Sequence, residues 1–282
     1  MTTLCVGRRE PTFIATKEHR RFLEFVKAVR QHRYIGLCYG PAGVGKTLSA
    51  RRYAHWDQAE LILEHGGTAE TMTAEVLAVL AKTRTVFLTA AVMGTLRDLR
   101  DTLGHSLVAI GACIEEQLRR EGVEVPKLHV HRLVEMVIID EAERLQTAAL
   151  DLIRDIFDRT GMAVILIGMP GMEKRLARYP QLYSRVGFAH HYRPLHQEEL
   201  TFVLTRHWRR LGLLLDDTDF TDAQAIASIA RITGGNFRLL QRLFIQIERI
   251  LKINDLSVIT DDLVEAAKKH NINVECDAAY EP

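Results

Sequence analysis

The chain has 282 residues, 47% of them hydrophobic and 26% charged, which is the profile of a globular protein with one large or two modest domains. Its 37 basic and 36 acidic residues leave a formal charge of +1, so the chain as a whole carries no electrostatic mark of a nucleic-acid partner, and any such surface must be a local patch. No apolar run approaches the roughly 20 residues of a membrane span, MTTLCVGRREPTF is not a signal peptide, and Cys5, Cys38, Cys113 and Cys276 lack a CxxC pair, which together indicate a reduced cytoplasmic protein without a membrane partner.

In chain order, Phe22, Phe25, Val26 and Val29 share one face of a helix over 16–30, with Thr16 as its N-cap. The apolar run 34–39 reads as a buried strand ending at Gly40 and Pro41, and helical residues resume after Lys46. Three further apolar runs, 85–90, 135–140 and 162–168, read as buried parallel strands. Between the first two, Leu96, Leu99, Leu103, Leu107, Ile110, Ile114 and Leu118 recur at helical spacing. After Asp140, a second set is formed by Leu145, Leu150, Ile153, Ile156 and Phe157.

Alternation of this kind predicts an α/β fold, a parallel sheet covered on both faces. Beyond Pro194 helices dominate: 197–211, 221–232, 236–253 and 260–270, separated at Asp216/Asp217 and Gly234/Gly235. The expected organisation is an N-terminal segment and helix (1–33), an α/β domain (34–193), a small all-helical lid domain (194–270) and a flexible tail (271–282). The histidine pairs His129/His131 and His190/His191 lack zinc-site spacing and read as ordinary surface or core residues.

Gly40, Pro41, Ala42, Gly43, Val44, Gly45, Lys46 and Thr47 match GxxxxGK[ST] between a strand and a helix. Glycines let successive N–H groups turn inward on phosphate oxygens, and the following helix adds its positive end. Lys46 is expected on the β- and γ-phosphates and Thr47 on Mg²⁺. The strand MVIID then presents Asp140 at the carboxyl edge of the sheet, where open α/β sheets bind ligands. Asp140 is expected in the Mg²⁺ shell and Glu141 on the attacking water, which together imply ATP hydrolysis.

Arg175, Arg178 and Arg185 lie between the fourth strand and the helical domain. Each is either a solvated surface charge or a guanidinium reaching a neighbouring subunit's nucleotide, the role expected of Arg185. In TGGNFRLLQRLF, Gly234 and Gly235 end one helix and Asn236 caps the next. Arg238 falls in the first turn, where the helix dipole disfavours a cation, so either a γ-phosphate or a carboxylate should stand near it.

GPAGVGKT, VIIDEAERL, an arginine before the lid and GGNxR within it together resemble an AAA+ ATPase. MVIIDEAERLQTAALDLIRDIFDRTGMAVILIGMP, RLARYPQLYSRVG and TGGNFRLLQRLFIQIERILKIN resemble more narrowly the transposon-encoded target-selection ATPases of the TniB/TnsC/MuB group. The resemblance covers about residues 12–270. It implies ATP-dependent assembly as rings or filaments on duplex DNA, recruitment of a transposase and disassembly on hydrolysis, and it leaves open whether an accessory targeting factor docks as a further partner. It also implies that Arg185 acts in trans and that Arg238 senses nucleotide.

One departure concerns the strand after the DE pair. It ends at Gly168 and Met169, where such enzymes carry a polar residue, so slow hydrolysis is expected. DNA contact would fall to Arg97 and Arg100, one turn apart on a helix, through the phosphate backbone without sequence preference. Asp98 and Asp101 lie beside them, and a solvated amphipathic face is the more common fate of such a charged run. A replication-type loader, or a switch acting on protein partners alone, remains an alternative reading.

Overall fold

The computed structural model describes residues 13–65, 72–123, 127–216 and 218–269. The tail 271–282, together with Cys5, Cys276 and Asp217, lies outside the described residues. The chain opens with α1 (Lys17–His32), capped by the Thr16 side chain, which accepts from His19 N. Strand β1 (Ile35–Tyr39) feeds the glycine loop and α2 (Lys46–Ala54), followed by α3 (Trp56–His65) and α4 (Ala74–Thr83). Then come β2 (Thr85–Thr89), α5 (Leu96–Arg120), β3 (Met136–Asp140), a short 3-10 turn at Ala142–Arg144 and α6 (Thr147–Thr160). Strand β4 (Ala163–Gly168), α7 (Met172–Ala177), α8 (Pro180–Tyr183) and β5 (Val186–His191) complete the α/β part.

The sheet is parallel and five-stranded, in the order β2-β3-β4-β1-β5. The three inner strands are buried nearly throughout, which is why they read as unbroken apolar runs. Sequence reasoning placed four strands; the fifth, β5, is a correction. As an edge strand it alternates half-buried and exposed residues, and GFAHH lacks the apolar density that marks the other four. At Gly187 the register with β1 slips, and a Cβ there would meet Tyr34 at 2.4 Å. The short helices α3 and α4 were likewise not anticipated.

Phe22, Val26 and Val29 of α1 are fully buried in the same core as the sheet, so this helix is built into the α/β unit. A second core begins at Leu195 and joins α9 (Gln197–Arg210), α10 (Phe220–Thr233), α11 (Phe237–Ile253) and α12 (Asp261–Lys269). Trp208 is the largest fully buried side chain of this core. The two units meet at the glycine loop, and Lys17 N also donates to Glu199 of α9 at 2.7 Å. Among the described residues no helix is long and apolar enough to cross a membrane.

Candidate nucleotide site

β1 delivers the chain to the carboxyl edge of the sheet, and the loop turns back immediately. A side chain at Gly40 would lie 2.1 Å from the carbonyl oxygen of Tyr192, so only glycine fits. Gly43 and Gly45 adopt φ of 77° and 110°, the left-handed region that glycine enters without strain. Lys46 opens α2, and its Nζ donates to the carbonyls of Gly40 (2.6 Å) and Pro41 (2.7 Å). Burial lowers its pKa, opposed by the Cys38 thiol and the Asp140, Glu143 and Glu141 carboxyls.

Thr47 Oγ1 donates to Asp140 Oδ2 at 2.6 Å, and Asp140 Oδ1 accepts from Glu141 N at 3.0 Å. Asp140 is buried at the end of β3, and burial raises its pKa against these two hydrogen bonds. Thr47 and Asp140 offer two hard oxygens. Among the described residues no group of three or more His, Cys, Asp or Glu could hold a metal by itself. A cation here must complete its shell with phosphate oxygens and water, which is the habit of Mg²⁺, and the donor set fits it.

Glu141 has φ 54° and ψ 39°, an uncommon conformation for a residue with a side chain. Its Oε2 lies 3.3 Å from Arg144 Nη2, while Arg144 Nη1 donates to Ala90 O at 3.0 Å, tying Glu141 to the end of β2. At the tip of β4, Gly168 leaves room that Glu143 occupies. A Cβ at 168 would stand 2.8 Å from Glu143 Oε2. Burial raises the pKa of Glu143, and the neighbouring Glu141 carboxylate adds to the effect.

The lid closes the other side. Asn236 caps α11 by accepting from Arg238 N (3.0 Å) and Leu239 N (3.3 Å). It also reaches the loop itself, since Asn236 Nδ2 donates to Ala42 O at 2.7 Å and Arg238 N donates to Gly43 O at 3.1 Å. A cavity of about 740 Å³ lies between loop and lid, and Lys46, Thr47, Asp140, Glu141 and Arg238 all line it. The Arg238 side chain is exposed, and among the described residues no carboxylate pairs with it.

The remaining candidates stand elsewhere. Arg185 is held by Asp158, through Nε at 2.5 Å and Nη2 at 2.7 Å, outside the cavity of its own chain. Arg175 donates to the carbonyls of Glu143 and Leu145 and braces the turn after Asp140. Arg178 is exposed. On α5, Arg97 and Arg100 are exposed, and Arg97 Nε lies 3.6 Å from Asp101. Sequence reasoning missed a buried chain behind the loop: His19 Nδ1 to Ser49 Oγ at 2.9 Å, then Ser49 Oγ to Tyr192 OH at 2.8 Å. Its trace in the sequence is slight: His19, like Glu18 beside it, is a polar residue on the helix that carries Phe22, Val26 and Val29.

Comparison with known proteins agrees with this geometry. Residues 29–176 match the family described as AAA domain. A Staphylococcus aureus protein called "Potential ATP-binding protein" is 40% identical over 270 residues, 92% of this chain and 96% of that one. Among solved structures, the Thermotoga maritima RuvB Holliday junction branch migration motor superposes with a TM-score of 0.55 at 17% identity, covering 92% of this chain and 70% of its own. The ADP form of the Aeropyrum pernix ORC2 protein reaches 0.51 at 16% identity, covering 96% and 72%. At such identities these two likenesses concern the fold alone. The family match and the long 40%-identical alignment go further: this chain belongs to the AAA domain family.

Proposed function

We propose that the protein is a Mg²⁺-dependent ATPase whose nucleotide state governs its assembly, and that it serves as a regulator of DNA transposition. The observation that carries the ATPase reading is the meeting of three parts at one cavity. These are the loop with Lys46, the Thr47–Asp140 pair at 2.6 Å, and the lid helix hydrogen-bonded to Ala42 and Gly43. Lys46 takes the β- and γ-phosphates in place of its own loop carbonyls. Thr47, with Asp140 directly or through water, would hold Mg²⁺, which when bound would neutralise charge developing on the phosphate oxygens. Glu141 accepts the proton of the attacking water, and Arg238 of the lid reports the γ-phosphate. The name of the 40%-identical relative supports ATP as the nucleotide.

The transposition reading rests on the resemblance of the segments around Asp140, Arg185 and Gly234. In it the protein assembles on duplex DNA as a ring or filament, recruits a transposase with or without an accessory targeting factor, and disassembles on hydrolysis. Arg97 and Arg100 contact the DNA backbone, and Arg185 leaves Asp158 for a neighbour's γ-phosphate. Electron microscopy with duplex DNA and a non-hydrolysable ATP analogue tests it. Filaments or rings on DNA are expected, and a protein that binds the analogue but ignores DNA would overturn this part.

A second reading is a switch acting on protein partners. It is favoured by the near-neutral charge and by the partial neutralisation of Arg97 by Asp101.

A further inference from the structure

Glu143 stands in the site without a part in the chemistry above. The 3-10 turn after Glu141 carries its carboxyl group across to the tip of β4, where Gly168 has no side chain. With Oε2 only 2.8 Å from where a Cβ at 168 would be, Glu143 fills the volume that any other residue there would claim. Among the described residues that oxygen is buried and makes no hydrogen bond of good geometry, while the Glu141 carboxyl and the Met169 N–H stand beside the same carboxyl group. The turn that bears it is nonetheless fixed, because Arg175 of α7 grips the backbone carbonyls of Glu143 and Leu145. A buried oxygen left without a good hydrogen bond is costly, and each such case calls for an explanation such as an unrecorded ligand or a catalytic role. Lys46, Thr47, Asp140 and Glu141 line the same cavity as Glu143.

We propose that Glu143 is the second carboxyl group on the attacking water, acting with Glu141 from the tip of β4 in place of a side chain at Gly168. The proposal deepens the ATPase reading and rests on it. A water molecule has two O–H groups, and two acceptors fix both, which leaves a lone pair free to point at the γ-phosphorus. As the new P–O bond forms, the bond to the β-phosphate oxygen breaks and the water's proton passes to Glu141. The products are ADP and inorganic phosphate. The role asks Glu143 only for an accepting oxygen, which a carboxyl group keeps in either protonation state and a glutamine amide also supplies.

Phosphate release at saturating ATP and Mg²⁺, together with the Kd of a fluorescent ATP analogue, tests this on Glu143→Ala, Glu143→Gln and the double variant Glu143→Ala/Gly168→Asn. Glu143→Ala is expected to slow turnover on the order of 10²-fold while the Kd changes by less than about 3-fold. Glu143→Gln, which keeps the shape and an accepting oxygen, is expected to retain more turnover than the alanine variant. In the double variant the asparagine enters the vacated volume and recovers about 10-fold of the loss. Wild-type turnover in Glu143→Ala overturns the proposal alone. So does an alanine variant that loses analogue binding and melts earlier, since that identifies a purely structural role. An unaltered chain that neither binds the analogue nor releases phosphate overturns the ATPase reading along with it.

Discussion

In the proposed mechanism Lys46 and Glu141 divide the chemistry between binding and turnover. Lys46 is buried and its ammonium is satisfied by two loop carbonyls, whose place a phosphate would take. Lys46→Ala is therefore expected to abolish nucleotide binding, measured by titration with a fluorescent ATP analogue; tight binding by that variant would remove the loop from the account. Glu141→Gln keeps the side chain's shape but not its basicity, so ATP should still bind while hydrolysis slows by about 10²-fold or more. Single-turnover phosphate release separates the two effects, and a wild-type rate would move the base elsewhere. These positions were legible in the sequence because phosphate chemistry demands consecutive residues of fixed type. Glu143, Arg144 and Tyr192 were not. Each acts through space that the fold creates: the gap at Gly168, the carbonyl of Ala90 and the crowding at Gly40.

Among the elements, α11 is the one that joins lid to loop. Its cap, Asn236, serves two ends at once, holding the first turn of the helix and donating to Ala42 O. Asn236→Ala should cost about 1 kcal/mol as a lost cap and should also weaken ATP binding. Calorimetric melting and analogue titration check both; an unchanged affinity would mean that the lid does not read the loop. His207 of α9 stacks on Phe244 of α11 with ring centroids 4.4 Å apart, and burial, helped by Arg210, lowers its pKa to about 4 from 6.5. The unfolded chain thus takes up the proton first. Its stabilising effect is complete above about 6.5 and is lost as pH falls from there toward 4. Melting temperatures across that window should fall more steeply for the native chain than for His207→Leu, and parallel curves would contradict this. The inner strands and long helices were readable because full burial writes unbroken or 3.6-periodic apolar runs. Strand β5 was not, because an edge strand that is half solvated needs only alternate cover.

At the scale of the whole molecule, the proposed function completes the site from a second chain. Arg238 enters from the lid, but Arg185 points to Asp158 rather than to the cavity. In the proposed assembly Arg185 meets a neighbouring subunit's γ-phosphate, an effect worth about 10³-fold or more in related phosphoryl transfers. Mixtures of Arg185→Ala and Lys46→Ala subunits, each inactive alone, should regain ATPase activity if sites are shared, and no recovery at any ratio would keep the site within one chain. The α/β fold and the helical lid were visible in the sequence as a change of period near Pro194. The geometry between them was not, since the bonds from Asn236 and Arg238 to the loop join residues nearly two hundred positions apart. The central claim is that the γ-phosphate controls self-association, and sedimentation of Glu141→Gln in ATP and in ADP, with Mg²⁺ and duplex DNA, tests it most directly. Large assemblies in ATP and single copies in ADP are the expected result; single copies under saturating ATP, with or without DNA, would contradict it.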